Sequence, residues 1–245
     1  MTTTSDRADR RTAVLLSAVA GYVDTAGFLA LFGLFTAHVT GNLVTAGAAL
    51  ALRAPEGVAA RLAMLPIFMV SVAATTLGAR RLRTRGRAPL APLLAAMAVA
   101  LAVFWAAGVG LRPWAVSPDA WATITIGGLG VAALGIQNAL MREALGTIAP
   151  TTVMTGNLTQ VTMDLVEMVV PTPTSDPAKR SALRSAASGR LHKFGIPLCG
   201  FLVGAALGAW LSGLVGLWSL GVPTVVVAGL TIAAARALPA PARAS

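Results

Sequence analysis

The sequence predicts an all-α polytopic membrane protein with six transmembrane helices and two re-entrant or broken segments. Three observations lead to this prediction. Of the 245 residues, 56% are hydrophobic and only 11% are charged, whereas a soluble domain carries about 25% charged residues. Five apolar runs are long enough to span a bilayer, which takes about 20 residues of helix. One polar motif also occurs twice inside apolar sequence.

The apolar runs predict three membrane spans in each half of the chain. The six spans lie at about residues 13–34, 61–82, 88–111, 120–141, 194–213 and 217–235. A shorter apolar segment follows the first span of each half, at 38–52 and at 151–170. These segments are short or rich in polar residues, so the charges of the loops have to decide their path.

The two halves are interpreted as two membrane repeats, residues 13–111 and 120–236, joined by an outer connection at 112–119. Polar segments outside and within the repeats predict tails and a loop. They are a disordered N-terminal tail at 1–12, a disordered cytoplasmic loop at 171–193 and a C-terminal tail at 237–245. The loop is rich in proline, serine and basic residues.

Two threadings are open for the short segments. If both segments cross the membrane, the chain has eight spans and its basic segments fall on both sides. If each segment enters and leaves on one side, 16 of the 19 lysines and arginines fall on the side of the N-terminus. Basic residues concentrate on the cytoplasmic side, so the sequence predicts the second threading, with both termini cytoplasmic. The halves are then inverted repeats, as in many transporters.

The repeated motif is a polar triplet, Thr40-Gly41-Asn42 in the first half and Thr155-Gly156-Asn157 in the second. Upstream of the triplets, Asp24 aligns with Asn138, with one extra residue in the second copy. A plain membrane anchor does not need a repeated polar motif. We therefore interpret it as the mark of a solute or ion pathway at the interface of the two repeats.

Asp24 lies near the middle of the first predicted span. A carboxylate there costs about 2.5–3.5 kcal/mol or more unless it is paired, hydrated or protonated, which predicts a proton carrier, a cation ligand or a substrate partner. The alternative is a structural carboxylate that bridges helices or satisfies freed backbone. His38 is either a proton-exchange partner of Asp24 or a hydrated interfacial residue, and Gln137 adds polar atoms beside Asn138.

The residue types of the triplet suit the start of a helix. Threonine caps helix N-termini, glycine permits non-helical backbone, and asparagine offers both a donor and an acceptor. Each triplet predicts a half-helix whose positive dipole end points into the protein. Irregular backbone at this depth has to be buried in protein or line a water-filled cavity. The alternative is close helix packing by small residues.

Other protein classes fit the sequence less well. The net charge of +10 does not predict a nucleic-acid partner, because the basic residues are divided among loops and termini. The single cysteine, Cys199, lies in an apolar span, which excludes a disulfide framework or zinc cluster within one chain. No catalytic motif is present. We expect no enzyme activity, no catalytic residues, no metal site and no cofactor.

Around Asp24, Asn138 and the two triplets, the chain resembles the YoaK family of small bacterial inner-membrane proteins, a family without an assigned function. The resemblance is carried by GYVDTAGFL and HVTGNLV in the first half, and by GIQNAL and TTVMTGNL in the second. It implies a bacterial integral membrane protein with about six spans. One departure is the pair His38-Val39, where the resemblance implies an apolar or small polar pair such as Val153-Met154.

Two functions are compatible with the sequence. The first is a secondary transporter or channel-like carrier for a small solute, with Asp24, Asn138 and both triplets lining a site between the halves. If transport is coupled to protons, Asp24 is the titrating group. The second is a non-transporting membrane scaffold or accessory subunit, in which the triplets only pack helices. The lipid bilayer is the expected partner, while the solute and any association into homo-oligomers stay open.

Overall fold

The part of the chain that the computed structural model describes, residues 4–146, 148–152, 154–170 and 172–237, folds almost entirely into helices. Its α-helices are α1 (Thr4–Ala30), α2 (Val39–Ala51), α3 (Val58–Thr84), α4 (Leu90–Gly110), α5 (Trp121–Ala144), α6 (Met154–Val169), α7 (Pro177–Val215) and α8 (Gly221–Arg236). Two 3₁₀ turns, Arg112–Trp114 and Gly216–Leu220, precede α5 and α8.

Five helical stretches of the described residues are long and apolar enough to cross a membrane. Four are α1 from Ala8, α3, α4 and α5, and the fifth, Pro177–Arg236, contains both α7 and α8. Helix α2 has only 13 residues. At 1.5 Å per residue it measures about 20 Å, less than the hydrocarbon core of about 30 Å. The predicted fold class, an all-α multi-pass membrane protein, is confirmed.

Helices α1 and α5 run in opposite directions. In the first half of α1, the Leu16 carbonyl accepts a hydrogen bond of 2.8 Å from Nε2 of Gln137, in the last third of α5. Beyond the end of α1, the Thr36 methyl group lies directly over Gly130, in the middle of α5. A chain with eight crossings would place α1 and α5 parallel, so that threading is excluded.

The short helix α2 begins in the interior of the bundle and returns to the end from which it entered. Its start lies beside Asp24, in the last third of α1, because the preceding residues bind that carboxylate. Its far end leads to the start of α3, where the Gly57 and Ala60 N–H groups donate to the Asp119 carboxylate just before α5. Helix α2 therefore does not cross the bundle.

Helix α6 likewise begins in the interior of the bundle and returns to one end, here the opposite end, which we call the basic end. It begins beside Asn138, to which Thr152 is hydrogen-bonded, and its later turns pack against the first half of α7. There the buried Asp164 carboxylate accepts hydrogen bonds of 2.8 and 2.6 Å from Arg190. Arg83 of α3 binds Glu143 of α5 at this same end.

Helices α1 and α7 are parallel and pack with their backbones in close contact. Gly200, Gly204 and Gly208, spaced four residues apart on α7, face α1. A Cβ atom at Gly204 would overlap the Ala18 carbonyl group, and one at Gly208 would lie 2.5 Å from the backbone carbonyl oxygen of Tyr22. Small residues at such spacing allow helices to approach closely in membranes. The sequence interpretation treated this stretch as an ordinary span.

Two predictions of disorder are wrong for the described residues. The predicted loop at 171–193 is helical from Pro177, because Asp176 caps α7 by accepting from the Ala178 and Lys179 N–H groups. The predicted N-terminal tail at 1–12 is helical from Thr4. Residues 1–3 of that tail, and residues 238–245 of the C-terminal tail, lie outside the described residues.

Candidate functional site

The first candidate site forms where the chain breaks after α1. The predicted span continued to Leu34, but α1 ends at Ala30 and the chain folds back along it. Oδ1 of the Asp24 carboxylate accepts backbone hydrogen bonds from Thr36 at 2.7 Å and from Ala37 at 2.6 Å. Asp24 thus satisfies two N–H groups that no helix satisfies, and it fixes the depth at which α2 begins.

His38 completes the environment of Asp24. Its Nδ1 atom lies 2.6 Å from Asp24 Oδ2, and the rings of Phe35 and Phe201 approach it edge-on. The Asp24 side chain is 8% exposed, whereas that of His38 is 40% exposed. The carboxylate is therefore buried behind the histidine, and His38 is the member of the pair that faces the surroundings.

The first triplet holds the start of α2 in place. Asn42 is fully buried, and its amide donates to the Phe35 carbonyl at 2.8 Å and accepts from the Phe35 N–H at 2.9 Å. The Phe35 ring covers Gly41, where a Cβ would lie 3.0 Å from it. Thr40 is exposed. The N-cap position is occupied by His38 without a side-chain cap, so the suggested capping role of Thr40 is wrong.

The second triplet repeats part of this arrangement. The Asn157 amide donates to the Pro150 carbonyl at 2.8 Å, which again lies seven residues upstream. Proline has no N–H group, so the return bond made by Phe35 is missing. Asn138 accepts one hydrogen bond of 2.6 Å, from the Thr152 hydroxyl, in place of the two backbone bonds at Asp24. Thr155 and Gly156 are exposed, and Val153 lies outside the described residues.

Gln137 lies in a buried polar cluster near the second break. Its Nε2 atom donates to the Leu16 carbonyl and, at 2.9 Å, to the Thr151 hydroxyl. Ser17 lies nearby and donates to the Pro197 carbonyl at 2.7 Å. The sequence interpretation missed Ser17 and Thr151.

Thr36 was also missed, although the sequence contains a signal for it. A threonine stands four residues before each triplet, Thr36 before Thr40 and Thr151 before Thr155. The repeated motif is therefore longer than the triplet. Thr36 packs against Gly27 of α1 and Gly130 of α5, so this threonine holds the returning chain between the two helices.

The site opens into a cleft of about 460 Å³. Its walls come from Asp24 and Thr25 of α1, from Phe35 and His38 of the break, from Thr40, Gly41 and Val44 of α2, and from Phe201 of α7. Among the described residues, those predicted in the second copy do not line this cleft. The structure thus brings Asp24, His38, Thr40 and Gly41 together, and places Asn42 behind them as a support.

Comparison with known proteins gives a family and no function. Residues 12–233 match the family described as a protein of unknown function, DUF1275. No curated protein and no solved structure matches the chain. The match includes both breaks, both triplets and all or most of each membrane-length helix of the described residues. The chain is therefore a member of the DUF1275 family, a family of unknown function whose fold, in this chain, is a multi-pass helical bundle.

Proposed function

We propose that this protein is a small-solute transporter or channel-like carrier of the bacterial inner membrane. The observation that carries the proposal is the half-helix α2, whose N-terminal end opens on a cleft next to the Asp24–His38 pair. Helix N-termini that end at mid-membrane depth are characteristic of transporter substrate sites. An ionisable pair within a membrane-spanning bundle is costly and rare, and therefore points to a functional site.

The arrangement of the helices supports inverted repeats within this proposal. If the halves are equivalent, α1, α2, α3 and α4 correspond to α5, α6, α7 and α8. The contact of α1 with α7 then corresponds to that of α5 with α3, and both contacts exist. The packing of α2 on α3 likewise corresponds to that of α6 on α7. Because α1 and α5, the first helices of the two halves, are antiparallel, the halves have opposite orientations in the bundle. We further propose cytoplasmic termini, from the distribution of basic residues, and membership of the YoaK group, from the motifs.

Water in the cleft is what separates this proposal from a purely structural role. In a Cys199→Ser background, we expect Val44→Cys to react with a membrane-impermeant thiol reagent and Val99→Cys to stay unreactive. The two valines are similarly exposed, at 73% and 63%, but Val44 lines the cleft and Val99 faces outward from the middle of α4. Thiolates form only in water, so equal protection of both cysteines would contradict a hydrated pathway.

If transport is coupled to protons, we propose that His38 exchanges them and that Asp24 positions it. Oδ1 of Asp24 is already occupied by two backbone N–H groups and the side chain is buried, whereas His38 is the exposed partner. This assignment replaces Asp24, the titrating group expected from sequence. Histidine is suited to the task because it changes charge near neutral pH.

The proton role is testable in everted vesicles that hold a pH gradient reported by a fluorescent dye. A panel of alkali cations, ammonium ions, sugars and amino acids is added, and solute-driven proton movement is recorded. We expect His38→Gln and Asp24→Asn to reduce a wild-type response at least about tenfold, as loss of a positioned proton-transfer group does. Thr45→Val is the control, because its hydroxyl binds only carbonyls of its own helix. A response that survives in both variants would exclude the pair from coupling.

A membrane scaffold is the second candidate, and one observation favours it. Asn42 and Asn157 are buried and bound to backbone, while Thr155 and Gly156 are exposed and do not line the first cleft. In this alternative the triplets only terminate and anchor the short helices. Protection of Val44→Cys from both sides of the membrane would give this function precedence.

A further inference from the structure

A second cavity, of about 330 Å³, lies between α1 and α7 at the basic end of the bundle. Its rim carries Arg10 of α1 and His192 and Lys193 of α7, together with Asp9. Apart from the histidine, two basic side chains stand against one carboxylate. The rim therefore favours an anion, although it is not uniformly basic. The sequence interpretation assigned no role to this group of residues beyond orientation and the membrane interface.

The floor of the same cavity is apolar and lies one helical turn deeper. Val14 follows Arg10 by four residues on α1, and Pro197 follows Lys193 by four residues on α7. Residues four apart lie above one another on a helix face. Because α1 and α7 are parallel and in contact at Val14 and Gly200, both charges lie at one level and both apolar side chains at the next.

This layering matches one class of ligand. The apolar runs of α1 and α7 begin at Ala13 and Phe194, so the rim lies where headgroups meet hydrocarbon and the floor lies just inside the hydrocarbon. Basic pockets between transmembrane helices on the cytoplasmic side bind anionic lipid headgroups. We propose that this cavity binds an anionic phospholipid, with its phosphate between Arg10 and Lys193 and the start of an acyl chain against Val14, Ile196 and Pro197. The proposal is independent of transport.

The charged rim is tested by lipid binding to the whole protein. Delipidated protein in detergent is titrated with phosphatidylglycerol or phosphatidylcholine, and bound lipids are counted by native mass spectrometry. We expect one tight phosphatidylglycerol site, weakened at least about fivefold by Arg10→Gln with Lys193→Gln, since each basic residue contributes to anionic-lipid attraction. The matched control is Arg85→Gln with Arg87→Gln, two exposed arginines at the same end. Equal affinity in both double variants would overturn the proposal.

The apolar floor distinguishes a lipid from a free phosphate ion. Ile196 lines the cavity and is 47% exposed, so Ile196→Gln removes apolar surface without altering charge or a packed core. We expect this variant to bind phosphatidylglycerol several-fold more weakly, because apolar burial is lost, and inorganic phosphate not to compete in the wild type. Competition by inorganic phosphate at the lipid's own concentration, with no effect of Ile196→Gln, would show a simple anion site and overturn the lipid assignment.

Discussion

Replacing Gly204 by alanine is expected to destabilise the protein by about 3 kcal/mol or more, near or beyond the upper end of ordinary overpacking. The added Cβ would overlap the Ala18 carbonyl group from its oxygen to its Cα. A helical backbone cannot relieve this overlap by changing rotamer, as a side chain could. Helices α1 and α7 would have to separate along their whole contact, which extends from Val14 and Gly200 to Tyr22 and Gly208.

The measurement is thermal unfolding in detergent, followed by helical circular dichroism or by loss of the monodisperse species. For a chain of this length, 3 kcal/mol corresponds to a fall in melting temperature of about 6–12 °C. Gly213→Ala is the matched control, because Gly213 lies on the same helix and a Cβ there meets nothing within 4 Å. Alanine even favours helix over glycine. Equal melting temperatures for the two variants would contradict the close α1–α7 contact.

Much of the fold was predictable because the bilayer restricts what a chain can do. Backbone groups in hydrocarbon have to be bonded internally, so long apolar runs become helices and the six predicted spans all contain one. The break after α1 was indicated by Asp24 and the first triplet. The prediction erred at 171–193, where composition suggested disorder. The local signal there, Asp176 before Pro177, is a helix start that composition alone obscures.

The candidate site was predictable in its residues but not in their roles. Asp24 and His38 stood out because charge is rare in apolar sequence, and the structure places them 2.6 Å apart. Which of them faces the cleft depends on how the chain folds back, and a sequence does not contain that direction. Asn42 was expected to line a pathway, yet it binds Phe35. An amide serves a solute and a broken backbone equally well, so its residue type could not decide.

The α1–α7 contact shows a different limit. The spacing of Gly200, Gly204 and Gly208 is visible in the sequence and is typical of close helix packing. What the spacing does not contain is the partner helix, whose contacting residues lie about 180 residues away along the chain. Only the fold shows that the first helix of one half packs on the third helix of the other.

Replacing Asp24 by alanine is expected to release the chain segment between α1 and α2. The Thr36 N–H group would lose its acceptor in a buried setting and the Ala37 N–H group in a half-buried one. Each unsatisfied buried donor costs about 1–3 kcal/mol, so the native position of the segment would lose about 2–6 kcal/mol. We expect amide hydrogen exchange at residues 36–38 in lipid nanodiscs to accelerate at least about 30-fold, the rate equivalent of the lower figure.

Two further variants separate this structural role from the proposed proton role. Asp24→Asn keeps an oxygen acceptor for both backbone groups, so it should retain slow exchange while losing the pair with His38. Asn138→Ala removes the hydrogen bond from the Thr152 hydroxyl and a bond from Nδ2 to the Leu134 carbonyl within α5. Of these, the Thr152 bond is the one that reaches the second break, and it is worth about 0.5–1.5 kcal/mol, so the second break should loosen far less than the first. If Asp24→Ala leaves exchange at residues 36–38 as slow as in the wild type, the carboxylate does not hold the break. The depth of α2 would then have to come from Thr36, packed between Gly27 and Gly130, and from the Asn42–Phe35 bonds.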